Sequence, residues 1–360
     1  MRFSFMENQW RHIFVFYLLF SFFLLTGIQV VQCSPNYYHH HRLGGLSKLF
    51  VFGDSYADTG NDQKPVARSW KVPYGITFPG KPAGRFSDGR VLTDYVASFL
   101  GIKTPVAWKK TNRLRYGINF AFGGTGVFDT VVPPDPNVTM TRQIDIFQQL
   151  IQNGVYSKFD LNSSAALVAL AGNDYITYFA KNVSSEGLSN FTASIISQLV
   201  INMKRIHDMG VKKVAVTAIE PIGCLPVISV LSSYQQCNET YNKISIFHNL
   251  LLQQAVEKLN NETSESTFMI LDLYNAFISI FERQKEHPGS LKFGNPLKPC
   301  CVGLTRKDLC GDKDENGVPK YIVCENPESA FFWDDVHPSH EGWHAIYSTL
   351  QHSLQQLYIR

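Results

Sequence analysis

A chain of 360 residues is long enough for one large domain or two small ones, and its 44% hydrophobic and 18% charged content is ordinary globular material. The formal net charge is +3, and residues 1–33 carry Arg2, Arg11 and Glu7, so the remainder stands at +2. That near-balance gives no electrostatic argument for nucleic acid or another polyanion as a partner. The densest basic run, "WKKTNRLRY" at 108–116, reads as a solvated loop.

From the N-terminus, the uncharged run Ile13 to Val31 follows two arginines and leads to "VQC-SP". It reads as a secretory signal peptide, residues 1–33, cut near Cys33; at 19 residues it could also serve as an uncleaved signal anchor. Residues 34–45, with "HHH" at 39–41, read as a flexible tail. No other segment is apolar enough to span a bilayer. Six N-x-S/T sequons, at Asn137, Asn162, Asn182, Asn190, Asn238 and Asn261, predict N-glycans. Six cysteines remain after Cys33, and an even number in an oxidising compartment predicts three disulfides among 15 possible pairings. Cys224–Cys237 is one expected bridge, with Cys300, Cys301, Cys310 and Cys324 stapling a loop. The expected location is extracellular: apoplast or cell wall if the source is a plant.

Strand-like and helical stretches then alternate. "LSKLFVF" (46–52) is a strand, and "RVLTDYVASFLG" (90–101) and "RQIDIFQQLIQNG" (142–154) are helices stopped by glycine. "AALVALAG" (165–172) is a strand, 190–210 a helix, "VKKVAVTAI" (211–219) a strand, 241–260 a helix, "TFMILDLY" (267–274) a strand and 337–358 a closing helix. This alternation predicts a parallel sheet with helices on both faces. The stretch 293–327 lacks periodicity and reads as a disulfide-pinned loop inside one domain spanning 46–360. "GITFPGKP" (75–82) nearly matches a phosphate-binding loop, but Pro82 stands where a hydroxyl is needed; "GGTG" (123–126) lacks dinucleotide spacing.

Ligands of open parallel sheets sit beyond the carboxyl ends of the strands. Four turns qualify: Ser55 in "FVFGDSYADTGN", Gly124 in "INFAFGGTG", Asn173 in "LAGNDY", and Asp334 to His337. Each alone reads as a turn or cap. Together they supply a nucleophile, a base, a carboxylate to orient it and donors for an oxyanion. "HEGWH" at 340–344 also spells the H-E-x-x-H of zinc peptidases, but the downstream tail holds no acid and no histidine at the needed spacing for a third ligand.

"FGDSYADTGN", "NFAFGGTG", "LAGNDY" and "FWDDVHPS", in that order, resemble the plant GDSL esterase/lipases of the SGNH hydrolase superfamily, as do "GRFSDGRVLTDYVA" (84–97) and "PIGCLP" (221–226). The resemblance implies a three-layer α/β/α sandwich, flavodoxin-like, with a five-stranded parallel sheet and no metal or organic cofactor. It implies Ser55 as nucleophile, His337 as base, Asp334 as its carboxylate, and Ser55, Gly124 and Asn173 as oxyanion donors. Tyr56 replaces the family's leucine, Ala171 its usual glycine, and Asp335 beside Asp334 offers a second carboxylate. The implied activity is secreted hydrolysis of carboxylic esters (lipid, acylated sugar or phenolic) through an acyl-enzyme. Acyl transfer to an alcohol is the alternative, and an inactive binding protein a further one.

Overall fold

The computed structural model describes residues 45–64, 66–108, 114–131, 138–170, 172–181, 185–263, 266–286 and 292–358. The signal-peptide reading, the "HHH" tail, Asn137, Asn182, Ala171 and the centre of the basic run lie outside them.

β1 (Lys48–Gly53) is central to a six-stranded sheet with β2 (Val106–Ala107), β3 (Ile118–Asn119), β4 (Ser164–Ala169), β5 (Lys213–Thr217) and β6 (Phe268–Leu271). The order is β2-β3-β1-β4-β5-β6, and every pairing is parallel. Six strands replace the expected five. The extra one, β2, is a two-residue edge within "KTPVAW", too short to leave an alternating pattern. Without it the order is the flavodoxin-like one.

Both faces of the sheet are covered, which is why its strands read as apolar runs rather than alternating ones. Leu49 and Val51 point into a core with α1 (Leu92–Phe99), α6 (Leu273–Glu286) and α7 (His340–Leu354). Phe50 and Phe52 point into the opposite core, with α2 (Met140–Gln152), α4 (Leu188–Asp208) and α5 (Glu239–Thr263). The helices bury stripes at helical spacing, such as Ile195, Leu199, Met203 and Ile206 on α4, and Trp343, Ile346, Leu350 and Leu354 on α7.

Among the described residues, two helices of eight residues or more lie outside the expected ones. α6 begins inside "TFMILDLY", whose apolar run predicts strand to Tyr274, and α3 (Asn173–Ala180) follows the "LAGNDY" turn, where no helix is expected. The aperiodic 293–327 stretch contains a small antiparallel pair, Cys301–Gly303 with Tyr321–Val323. Disulfides join Cys224–Cys237, Cys300–Cys324 and Cys301–Cys310. Of the described sequons, Asn162, Asn190 and Asn261 are exposed, while half-buried Asn238 caps α5 by accepting the Thr240 N–H at 3.0 Å. Among the described residues no helix is long and apolar enough to cross a membrane.

Candidate active site

The chain leaves β1 for β3 on one side and returns to β4 on the other. The carboxyl ends of these three strands therefore meet at the switch point where open α/β sheets bind ligands. Ser55, Gly124 and Asn173 follow those three ends.

The β1 turn is held tightly. Gly53 has φ +146°, and a Cβ there would lie 1.9 Å from the Ala169 carbonyl oxygen, so only glycine fits. Buried Gln143 on α2 accepts the Gly53 N–H and donates to the Gly53 carbonyl, each at 2.8 Å. Side-chain amides stitch the β1 and β3 turns together. Asn61 donates to the Asn119 and Ala121 carbonyls, and Asn119 donates to the Ala57 carbonyl. Asp58 accepts the Gly123 N–H at 3.1 Å, which fixes the neighbouring Gly124, at φ +81°, beside Ser55. Burial pushes the Asp58 carboxyl up to about 7, against the backbone N–H groups that favour its charged form.

The fourth turn is built from the C-terminal loop. The Cys300 and Cys301 N–H groups donate to the Phe332 and Trp333 carbonyls, so the disulfide loop backs the segment leading to Asp334. Trp333 N–H donates to His337 O at 2.7 Å, closing the turn, and Ser339 caps α7 immediately after it. His337, distant in sequence, thereby meets Ser55: Oγ and Nε2 are 2.8 Å apart. The other ring nitrogen, Nδ1, lies 2.9 Å from both oxygens of Asp334. An ionised carboxylate can only accept, so Nδ1 carries the proton and Nε2 is left as an acceptor for the serine hydroxyl. Phe86 stacks on the imidazole with centroids 5.0 Å apart.

Asp334 is fully buried, yet held ionised. Burial alone would raise its pKa, but His337, the Arg68 charge and the Tyr74 hydroxyl outweigh it and keep it below the usual carboxylate range. Tyr74 donates at 2.6 Å, and the Val336 and His337 N–H groups at 2.9 and 2.8 Å. Asp335, the second candidate carboxylate, instead faces Arg68 at 3.4 Å.

Two donors stand ready beside the serine. Neither the Ser55 nor the Gly124 N–H has an acceptor among the described residues. Asn173 lines the same cavity, but its amide hydrogens go to Asp54 at 3.0 Å and the Thr125 carbonyl at 3.1 Å. The cavity holds about 560 Å³; Ser55, His337 and Asn173 lie on it together with Ile176, Val227 and Val336.

Sequence reading missed several residues that surround this centre. Tyr74 and Arg68 sit in an aperiodic stretch that gives no cue. Glu220, after β5, is fully buried beside Asp54 and Tyr56. Burial, and then the Asp54 charge, push its carboxyl up to about 8. The Tyr56 hydroxyl faces that carboxyl without closing a hydrogen bond of ordinary geometry, and donates instead to the Val336 carbonyl at 2.9 Å. A conspicuous acid after a strand end was the available signal.

The H-E-x-x-H residues have other engagements. His340 Nδ1 accepts the Arg90 N–H at 3.1 Å, and Glu341 pairs with Lys292.

The model of the GDSL-like Lipase/Acylhydrolase family matches residues 49–350. The chain belongs to the GDSL esterase/lipase family. It is a carboxylic ester hydrolase. One GDSL esterase/lipase of Arabidopsis thaliana is 54% identical over 350 residues, covering 94% of this chain and 96% of the relative. A second from the same plant is 50% identical over 351 residues, covering 95% and 99%. Among solved structures, a catalytic mutant of an acetylxylan esterase from Geobacillus stearothermophilus aligns with a TM-score of 0.40 at 14% identity, covering 89% of this chain and 99% of that one. In this GDSL hydrolase, the turns that carry the family's motifs are the ones that meet at the switch point.

Proposed function

We propose that this GDSL hydrolase works through an acyl-enzyme on Ser55. The observation that carries the reading is the unbroken contact from Ser55 Oγ to His337 Nε2, and from His337 Nδ1 to Asp334. His337 takes the hydroxyl proton as Oγ attacks the ester carbonyl carbon. Asp334 stabilises the imidazolium that forms. The carbonyl oxygen, now negative, takes hydrogen bonds from the Ser55 and Gly124 N–H groups. Asn173 joins them by sharing the hydrogen now given to the neutral Thr125 carbonyl. The bond to the alcohol oxygen breaks as His337 returns the proton to it. Water then attacks the acyl carbon by the same steps, releasing the acid and restoring Ser55.

The protein is secreted in this reading, with residues 1–33 removed and 46–360 forming one domain. The three disulfides and the exposed Asn162, Asn190 and Asn261 support it. Hydrolysis of p-nitrophenyl butyrate by wild type and Ser55→Ala tests the mechanism. Turnover is expected to vanish in the variant; a variant that retains wild-type turnover contradicts the assignment.

A further inference from the structure

The cavity that holds Ser55 has a neighbour of about 510 Å³, a groove between the N-terminal halves of α4 and α5. Leu188, Ile244 and Phe247 give it apolar walls, with Ser189 and Lys243 at its rim. Phe179 and Tyr241 line both cavities. Their rings meet edge to face with centroids 5.8 Å apart, so one aromatic ridge is common to the two spaces. On the Ser55 side the ridge continues into Ile176 and Val227, which are 42% and 46% exposed; on the far side it continues into Phe247, 38% exposed. Large apolar side chains left open in two cavities on either side of one shared ridge mark a surface built to be covered.

We infer that this groove is the distal half of the substrate site and takes the far end of a long unbranched aliphatic chain of the ester. The inference rests on the reading of Ser55 as nucleophile and adds the substrate class. A chain starting at the serine has apolar walls in the first cavity, crosses the Phe179–Tyr241 ridge and finds apolar walls again. Short esters fill the inner cavity alone. A lipid surface would also meet the exposed apolar side chains, but the feature is concave and shares its wall with the catalytic cavity, which favours a single chain. Each methylene moved from water onto the groove is expected to raise kcat/KM about fourfold.

The test compares monomeric p-nitrophenyl butyrate with p-nitrophenyl dodecanoate, and butyl acetate with dodecyl acetate, in wild type and three surface variants. Ser189→Trp fills the groove and Phe247→Asp makes it polar. Leu250→Asp, on the same helix at a residue 51% exposed and outside the groove, is the control. Both groove variants are expected to keep butyrate or butyl acetate turnover within about twofold. They are expected to lose tenfold or more on one long-chain series, and the series that suffers shows whether the chain is acyl or alcohol. The control should change neither. Unaltered chain-length selectivity in both folded groove variants overturns the inference. So does a loss seen only when the dodecanoate is presented in phosphatidylcholine vesicles rather than as monomer and shared by Leu250→Asp, which would assign the face to lipid-surface contact. If Ser55→Ala cleaves these esters as wild type does, the nucleophile reading has failed and this inference falls with it.

Discussion

Replacing Glu220 with Gln isolates one buried ionisation. The carboxyl's ordinary value of 4.5 is raised to about 8 by burial and by Asp54. An acid raised on folding stabilises the native state fully below its unfolded pKa, and that stability is lost as pH rises through the folded one. Between these limits the native protein binds one more proton than the unfolded chain. Unfolding free energy therefore falls by about 1.4 kcal/mol per pH unit from this group, or about 4 kcal/mol from pH 5 to pH 8. That is large against a total stability of roughly 5–15 kcal/mol. Gln keeps the shape and a donor toward the Tyr56 hydroxyl but does not titrate. Urea unfolding followed by tryptophan fluorescence, at four pH values across that range, measures both proteins. The wild-type value minus the variant value should fall by about 4 kcal/mol as pH rises. Asp58, raised to about 7, is present in both proteins and drops out of the difference. A difference that stays flat with pH refutes the reasoning.

Tyr74→Phe removes the 2.6 Å donor to Asp334. A hydrogen bond to a charged group is worth roughly 1.5–3 kcal/mol, so kcat/KM on p-nitrophenyl butyrate should fall about tenfold or more while the melting profile persists. An unchanged kcat/KM would mean that the two backbone donors suffice to orient the carboxylate. Asn173→Ala should lower kcat by roughly 100- to 1,000-fold in a folded protein. A loss below about tenfold would indicate that the Asn173 amide stays on Asp54 and Thr125 and leaves the oxyanion to the two backbone N–H groups.

The sequence was most legible where chemistry limits the residue choice. Ser55, Gly124, Asn173 and the Asp334–His337 pair could be picked out because each follows a strand end or sits at a fixed spacing. The alternating layers were legible from apolar runs of strand length and stripes of helical period. What escaped depends on contacts between distant segments. Tyr74 reaches Asp334 across 260 residues from an aperiodic loop, and no local pattern announces such a contact. β2 is too short to carry a period, and α6 was hidden because only Asp272, whose carboxylate accepts the Asn275 N–H, separates it from the apolar β6 run. The sequence presents Asn173 as an available amide. Its two existing hydrogen bonds emerge only when Asp54 and Thr125 are brought beside it.

Covalent trapping tests the central claim most directly. A fluorophosphonate reacts with a serine only when a base activates its hydroxyl, and peptide mass spectrometry locates the adduct. The account predicts one adduct, on Ser55, that is lost in folded His337→Ala. An adduct on another serine, or wild type that cleaves esters with Ser55 unlabelled, would contradict it.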